Sequence, residues 1–472
     1  MRNTFRRLQS YILILAILLA MTLLVRILLI NGTRTDSSPV SSDLVGSSVA
    51  PGPVPETYEE RVGMVCQTPG LVAFWDFVQR EDGLHGSGRF QAHTALDDTS
   101  RYILEPNNIS REFWNDGDEA TLIDFPLLGR GPFGQSVRFR RPGEQNDLPI
   151  LMVPRKALHD SPLDIKGPGR SVSMVVWMIY QEGAHAIAGM WHEGTDSPPI
   201  DIPAEVQVRG RRQFGMFAGL QANPSASSAH ISENGLASFG DTYARHLAVT
   251  PERMQRVSLE PTDEEFDEGW SVAGFTFDHE TGSVTAYLDG VATEWWIEDP
   301  AQNRFYHPTA NAWRQAKLAK MEGIQKGEDS DFPRDQFYEP PENEPLFEEV
   351  LSEDPEERTI LRTYEFTKIK MVQRRDADGR FQDSEKFELV ALKANPYWFG
   401  RDIYSPPSVE EGGPFTIGRV IHSNRHPTLT TWIGGVAVFD RALSDREMQN
   451  LARIGREGSS PVIKFDHIDI RN

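Results

Sequence analysis

The sequence predicts an all-β sandwich, and three observations carry that prediction. Short apolar segments recur between turn residues, and in several of them apolar and small or polar residues alternate with period two, as in a sheet with one buried face. Helical periodicity is scarce and no internal repeat is present, which argues against a solenoid or an α/β fold. Residues 415–454 then read as one piece of grammar. FTIGR opens a short strand, and WIGGVAVFDRALSDREMQNLARI adds a glycine-paired turn, an alternating apolar strand and a capped helix.

In chain order the strand candidates are LVAFWDF (71–77), GQSVRFR (134–140), SVSMVVWMI (171–179) and RQFGMFAGL (212–220). WSVAGFTFD (270–278) and SVTAYLDG (283–290) follow as a hairpin, because the tip DHETG supplies turn residues and the second strand stops at Asp289-Gly290. The helix after the last strand is announced by a capping box. Ser444 can accept from the Glu447 backbone N–H while the Glu447 carboxylate reaches back to the Ser444 N–H.

The chain has 472 residues, enough for a substantial core, and its overall apolar content is 39%. Residues 11–30, YILILAILLAMTLLVRILLI, are the exception, with Arg26 their single charge. About 20 helical residues cross a hydrocarbon core of roughly 30 Å. Arg2, Arg6 and Arg7 precede this run and Arg34 alone follows it closely, so a short cytoplasmic amino terminus (1–10) and export of the rest are expected. A cleaved signal peptide would have an apolar region of about 7–15 residues ending at a small-x-small site. The longer run favours an uncleaved signal-anchor and a single-pass membrane protein, its main domain periplasmic or at the cell surface. Residues 31–57, rich in Ser, Pro, Gly and Val, read as a flexible stalk.

Cys66 is the single cysteine, so no intramolecular disulfide forms; it is read as a buried, small apolar residue. The net charge of −21 argues against nucleic acid or an anionic membrane surface as ligand. It is compatible with neutral or cationic partners and with divalent cations.

Together these segments resemble the laminin G-like (concanavalin A-like) jelly-roll family. The resemblance rests on LVAFWDF, GQSVRF and SVSMVVWM as its opening, on the hairpin WSVAGFTFDHETGSVTAYLDG with its "strand, D-x-x-T-G, strand, D-G" pattern, and on 415–454 as its closing portion. It spans about 71–454 and implies a β-sandwich domain over 58–458, with a tail at 459–472. The departure from the family is a long connection, 291–414, between Asp289-Gly290 and FTIGR. It contains a predicted helix around 311–325 and an acidic run, 322–357, in which fourteen Asp or Glu face Lys326 and Arg334. That run reads as a solvated surface segment. YEFTKIKMV and EKFELVALK then form a second hairpin across RRDADGR.

Relatives of this fold include glycoside hydrolases with an E-x-D-x-x-E strand, in which alternation sets carboxylates on one face. The nearest spacing here, Glu265-Phe-Asp267-Glu-Gly-Trp270, lacks the final carboxylate, and no other familiar catalytic motif occurs. His422 and His426 have i, i+4 spacing but sit in SNRHP, a loop, and Asp376-Ala-Asp378-Gly379 echoes the start of a calcium loop without its closing acid. Some laminin G-like domains bind calcium at a loop rim, so calcium is the cofactor the resemblance allows; no ligands map onto this sequence.

Sandwiches that bind carbohydrate rely on exposed aromatics. Trp295 and Trp296 after the Asp-Gly turn, and Tyr397 and Trp398 in NPYWFG, are the candidate ligand-binding residues; the competing role is to anchor the insertion. Trp75, Trp177 and Trp432 lie in or beside core strands. The expected function is non-catalytic recognition of a glycan or of an extracellular or envelope protein by a membrane-anchored sandwich. A glycan-active hydrolase or lyase and a structural or scaffolding role in the cell envelope are the alternatives.

Overall fold

The structure is a computed structural model that describes residues 55–84, 88–95, 101–114, 117–140, 148–194, 209–220, 223–236, 247–320, 338–342, 344–421 and 429–456. The expected membrane helix at 11–30, most of the expected stalk, His422, His426 and the tail lie outside the described residues. Among the described residues, no helix is long and apolar enough to cross a membrane.

Two antiparallel sheets form the sandwich. The front sheet runs in the order Tyr397–Trp398, Ser283–Leu288, Ser271–Asp278, Val172–Glu182, Thr430–Phe439, Ser136–Phe139, Leu127–Leu128. Leu71–Trp75 shares an edge of Thr430–Phe439 with Ser136–Phe139: the first takes Val436 to Phe439, the second Thr431 to Ile433. The back sheet begins with Leu247–Val249, Ser227–Ile231, Arg211–Ala218, His185–His192 and Phe415–Ile417. It continues through Pro149–Val153, Ile103–Asn108, Phe90–Gln91, Gln79–Arg80 and Gly83–Leu84. Val, Ile, Phe, Trp and Met dominate the central strands, which suits a pleated surface packed on its neighbours. The Ser227 hydroxyl donates to Gly274 O at 3.2 Å, fixing which face of the back sheet meets the front one.

Alternation with one wet face is not what the centre shows. Val172–Glu182 and Thr430–Phe439 are buried on both faces. Outside the front sheet, the helices Tyr58–Gln67 and Asp445–Arg456 complete a second core of Val65, Phe74, Phe133, Trp177, Trp270, Met448 and Leu451 with their neighbours. Trp177 Nε1 donates to Leu451 O at 3.2 Å, and the predicted Ser444–Glu447 capping box is present. The Arg441 hydrogen bond is the main reason the Glu447 carboxyl is held down to about 2.

The pair Gly434-Gly435 does not turn the chain, as the sequence suggested; both residues lie inside Thr430–Phe439. Their role is clearance. A Cβ on Gly434 would stand 2.7 Å from Pro132 and 2.9 Å from Trp270, and one on Gly435 would stand 2.8 Å from Phe133 and 3.1 Å from Trp177. The bare strand lets those rings approach its backbone, and the register slips between Ile433 and Gly435.

The outer face of the back sheet is roofed by the chain itself. Residues paired across Arg211–Ala218 and Ser227–Ile231 share faces, so Gln213, Gly215, Phe217 and His230 point away from the front sheet. Gln213 Nε2 donates to Asp164 at 3.3 Å and to Ile165 O at 3.1 Å, while Gly167 N donates to Ile403 O at 2.8 Å and Tyr404 N to Ser232 O at 2.7 Å. Segments around 163–167 and 403–413 thus close this face, and Gln213, Phe217 and His230 are fully buried.

The insertion builds a third sheet, in the order Trp295–Glu298, Phe381–Asn395, Thr367–Arg375, Glu357–Thr363, Phe347–Glu353. The predicted hairpin pairs across residues 376–380, where the Asp376 carboxylate accepts from the N–H groups of Asp378 and Arg380. That turn chemistry accounts for the DADG motif. The helix is described over His307–Lys320, starting before the expected 311, and buries Trp313 against Phe387. Within the acidic run, Phe347–Glu353 is an exposed strand.

Cys66 is half-buried, and burial pushes its thiol up to about 11. It sits on Tyr58–Gln67, a helix with a Thr57–Glu60 capping box. That helix is tied to the sandwich by Tyr58, whose hydroxyl donates to Asp76 at 2.6 Å; His93 Nε2 lies 2.8 Å from the same Asp76 oxygen, and the other oxygen accepts from Val78 and Gln79 N–H. Burial by itself would raise the Asp76 pKa, but the His93, Tyr58 and backbone bonds outweigh it and hold the carboxyl below the usual range. A depressed native pKa gives stability that is present above the unfolded value of about 4 and is lost as pH falls through the native one. Asp76→Asn is therefore expected to lower stability at pH 7 by roughly 2–4 kcal/mol and to flatten the acid limb of a melting-temperature profile below about pH 4. An unchanged acid limb would show that Asp76 is not the responsible group.

Candidate functional site

The four candidate aromatics separate into different environments. Tyr397 is fully buried, its hydroxyl 3.4 Å from Thr309 Oγ1 and its ring 5.2 Å from that of Tyr338. It anchors the insertion and offers no face to a ligand. Trp295 is half-buried against the main core. Trp296 donates Nε1 to Glu294 at 2.7 Å, and the ammonium groups of Lys368 and Lys393 lie 4.8 Å and 5.0 Å from its ring centroid, so cations already use the indole. Burial works against a charged Glu294, yet the Trp296 and Lys393 hydrogen bonds hold its carboxyl below the ordinary range.

Trp398 is different. Period two along Tyr397–Trp398 turns it the opposite way from Tyr397; it is half-buried, packs against the main core as Trp295 does, and pairs with Ser283 at the edge of the front sheet. It lines a cleft of about 680 Å³ with Glu233, Asn234, His279, Glu280, Thr281, Gly282, Pro341, Gly400, Arg401 and Asp402. Four pieces of chain meet there: the DHETG hairpin tip, the turn after Ser227–Ile231, Pro341 of the insertion, and Trp398 with the residues following it.

Glycines set the indole in place. Phe399 and Gly400 N–H groups both donate to Gly282 O, at 2.7 and 2.9 Å. Gly282 (φ +67°) and Gly400 (φ +62°) occupy the left-handed region; a Cβ on Gly400 would fall 1.9 Å from the Trp398 ring. Tyr338 braces the ring edge-on at 5.9 Å. The tip is held by Asp278, which accepts from Glu280 N–H at 3.0 Å and the Thr281 hydroxyl at 3.1 Å.

The polar lining is arranged in pairs. His279 Nδ1 lies 3.5 Å from Asp402, and Arg401 Nε lies 3.5 Å from Glu233. Three carboxylates (Glu233, Glu280, Asp402) face one guanidinium (Arg401), a net of −2 with His279 neutral. One flat aromatic wall with acceptors and donors spread around it suits a ligand rich in hydroxyl groups and poor in negative charge. Of the sequence candidates only Trp398 reaches this place. The others lining it were not singled out, and the signal that could have found them is the turn chemistry of DHETG and SENG.

Among the described residues, the roofed face of the back sheet offers no open pair of carboxylates. Glu193 there accepts from Trp191 Nε1 at 3.0 Å with Arg212 at 3.9 Å, and Asp164 is held by Arg155 at 2.6 Å and Lys166 at 2.6 Å. Among the described residues, the one group of three His, Asp or Glu ligand atoms within 4.8 Å of one another is His159, Asp160 and Asp164, and Arg155 and Lys166 already supply positive charge there. The Asp376 carboxylate is committed to its own turn.

No model of a known protein family matches the chain, and no curated protein matches it. Among solved structures it is similar to the botulinum neurotoxin serotype D ligand-binding domain in complex with N-acetylneuraminic acid, at 8% identity and a TM-score of 0.32, over 81% of this chain and 50% of that one. It is also similar to a Trypanosoma rangeli sialidase in complex with 2,3-difluorosialic acid, at 9% identity and a TM-score of 0.31, over 84% of this chain and 37% of that one. The match spans about half the length of the toxin domain. Likeness this slight carries no argument about function.

Because Asp160 and Asp164 are already engaged by Arg155 and Lys166, and Asp376 by its own turn, adding millimolar calcium or removing it with EDTA is expected to move the melting temperature by less than about 1 °C. A rise of several degrees with calcium alone would contradict this account of the acidic clusters.

Proposed function

We propose that the protein recognises a neutral glycan in the cleft of Trp398. The observation that carries the proposal is the braced indole facing a rim of Glu233, Asn234, His279, Thr281, Arg401 and Asp402. A sugar ring stacked on the indole would exchange its hydration for these acceptors and donors, which sit in fixed turns and need little ordering. The net of −2 opposes sialylated or sulfated chains, as does the charge of −21 on the whole molecule. The laminin G-like resemblance of 71–454 supports a recognition role at the end of such a sandwich. The apolar run 11–30, with Arg2, Arg6 and Arg7 before it, supports presentation outside the cytoplasm on a membrane anchor.

A glycan array probed with the full chain, solubilised if its anchor requires, tests the proposal. Neutral oligosaccharides are expected to bind and sialylated ones not to. Trp398→Ala should weaken binding roughly tenfold or more, about 1.4 kcal/mol. Asn234→Ala, which removes a polar group without touching the indole but also the acceptor of the Leu236 N–H at 2.9 Å, should weaken it with at most a small fall in melting temperature. Binding of neutral glycans that survives both substitutions, or a preference for sialylated glycans, would overturn the assignment.

A further inference from the structure

Eight large hydrophobic side chains stand exposed among the described residues, and four of them, Leu346, Phe347, Val350 and Leu351, fall within six consecutive positions. They are 73%, 61%, 47% and 49% exposed. Scattered single exposures are ordinary; a run of this kind on one element marks an interaction surface. The element is Phe347–Glu353, the last strand of the insertion sheet. It pairs with Glu357–Thr363 along one edge, and among the described residues no strand pairs with the other.

An edge strand presents a row of open N–H and C=O groups, and folded proteins guard such edges with lysine, proline, bulges or charge. This one contains neither lysine nor proline. Its guards are a bulge between Val350 and Ser352 and the carboxylates of Glu348, Glu349 and Glu353. Glu348 is engaged by Arg362 at 2.9 Å and Arg358 at 3.8 Å, and Glu353 by Arg375 at 3.3 Å. Glu349 forms no ion pair among the described residues, although its side chain is exposed. Guards of one sign are selective. Two copies laid edge to edge would bring glutamates against glutamates between molecules that each carry −21, whereas a basic strand would meet complementary charge.

We propose that Phe347–Glu353 is a docking edge that takes an extended, basic segment of a partner protein by adding it to the insertion sheet as a sixth strand. Backbone hydrogen bonds along the open edge hold the segment, and side chains set its identity. Phe347 and Glu349 alternate onto one face and Glu348 and Val350 onto the other. The matching segment therefore reads apolar, basic, basic, apolar, so that apolar residues meet Phe347 and Val350 and basic ones meet Glu349, which has no ion pair among the described residues, and Glu348, which they share with Arg362 and Arg358.

The probe is a fluorescein-labelled peptide of three Val-Lys-Lys-Val repeats, titrated into the full chain, with a Val-Glu-Glu-Val peptide beside it. The lysine peptide is expected to bind, to weaken with salt, and to slow hydrogen exchange at the amides of Phe347–Glu353. Val350→Lys and Glu349→Lys, both at exposed positions, should each weaken it roughly tenfold without changing the melting temperature. The glutamate peptide should not bind. Three results would overturn the proposal: no binding of the lysine peptide, binding that both substitutions leave unchanged, or a dimer of the native chain that Val350→Lys dissolves, which would make a second copy the occupant.

Discussion

The structure depends on one constraint: its central strands have no face turned to water. Val172–Glu182 and Thr430–Phe439 are apolar on both sides, so a two-sheet sandwich alone would leave one side of the front sheet bare. Two helices supply much of the missing cover, and Gly434 and Gly435 leave room for Phe133, Trp177 and Trp270 beside the strand. Asp76 fastens one of those helices through Tyr58. The back sheet meets the same requirement by a different route, its outer face being roofed by the chain around 163–167 and 403–413.

That constraint decides where recognition can occur. A sheet face filled by its own chain cannot also hold a ligand, and the carboxylates near the roof are already spent on Arg155, Lys166 and Arg212. Strand ends are what remains. At one end the hairpin tip, the turn after Ser227–Ile231 and the chain beyond Trp398 converge, and Tyr338 and Pro341 of the insertion stand beside them. The insertion therefore has two parts with different exposure. Trp295 and Tyr397 serve its attachment, Trp398 packs on the same core while lining the cleft, and the far edge at Phe347–Glu353 is exposed.

Much of the sandwich was legible because period two and turn residues are local signals. Leu71–Trp75, Ser136–Phe139, Val172–Glu182, Arg211–Ala218, the Ser271–Asp278 and Ser283–Leu288 hairpin, the hairpin over residues 376–380 and the Ser444–Glu447 cap are all written in neighbouring residues, whereas Ile103–Asn108, Pro149–Val153, His185–His192 and Ser227–Ile231 are not among the expected strands. Tyr58–Gln67 was equally legible, since Thr57 and Glu60 form a capping box, but strand periodicity drew the reading past it. Gly434-Gly435 was misread for a physical reason: the same dipeptide serves a turn or a strand under an aromatic ring, and only the distant Phe133 and Trp270 decide. The site was legible in a single residue. Alternation alone separates Trp398 from Tyr397, but Glu233, His279, Arg401 and Asp402 come from three segments whose meeting depends on sheet order, which no local pattern contains.

The central claim is that both sheet faces are closed and that recognition takes place at the strand ends. Hydrogen exchange of the full chain, with and without a neutral oligosaccharide that it binds, tests this most directly. The account predicts slower exchange at the amides of residues 279–282 and 398–402, and no change along His185–His192 and Arg211–Ala218. Protection confined to those two back-sheet strands would contradict it, because the ligand would then lie under the roof.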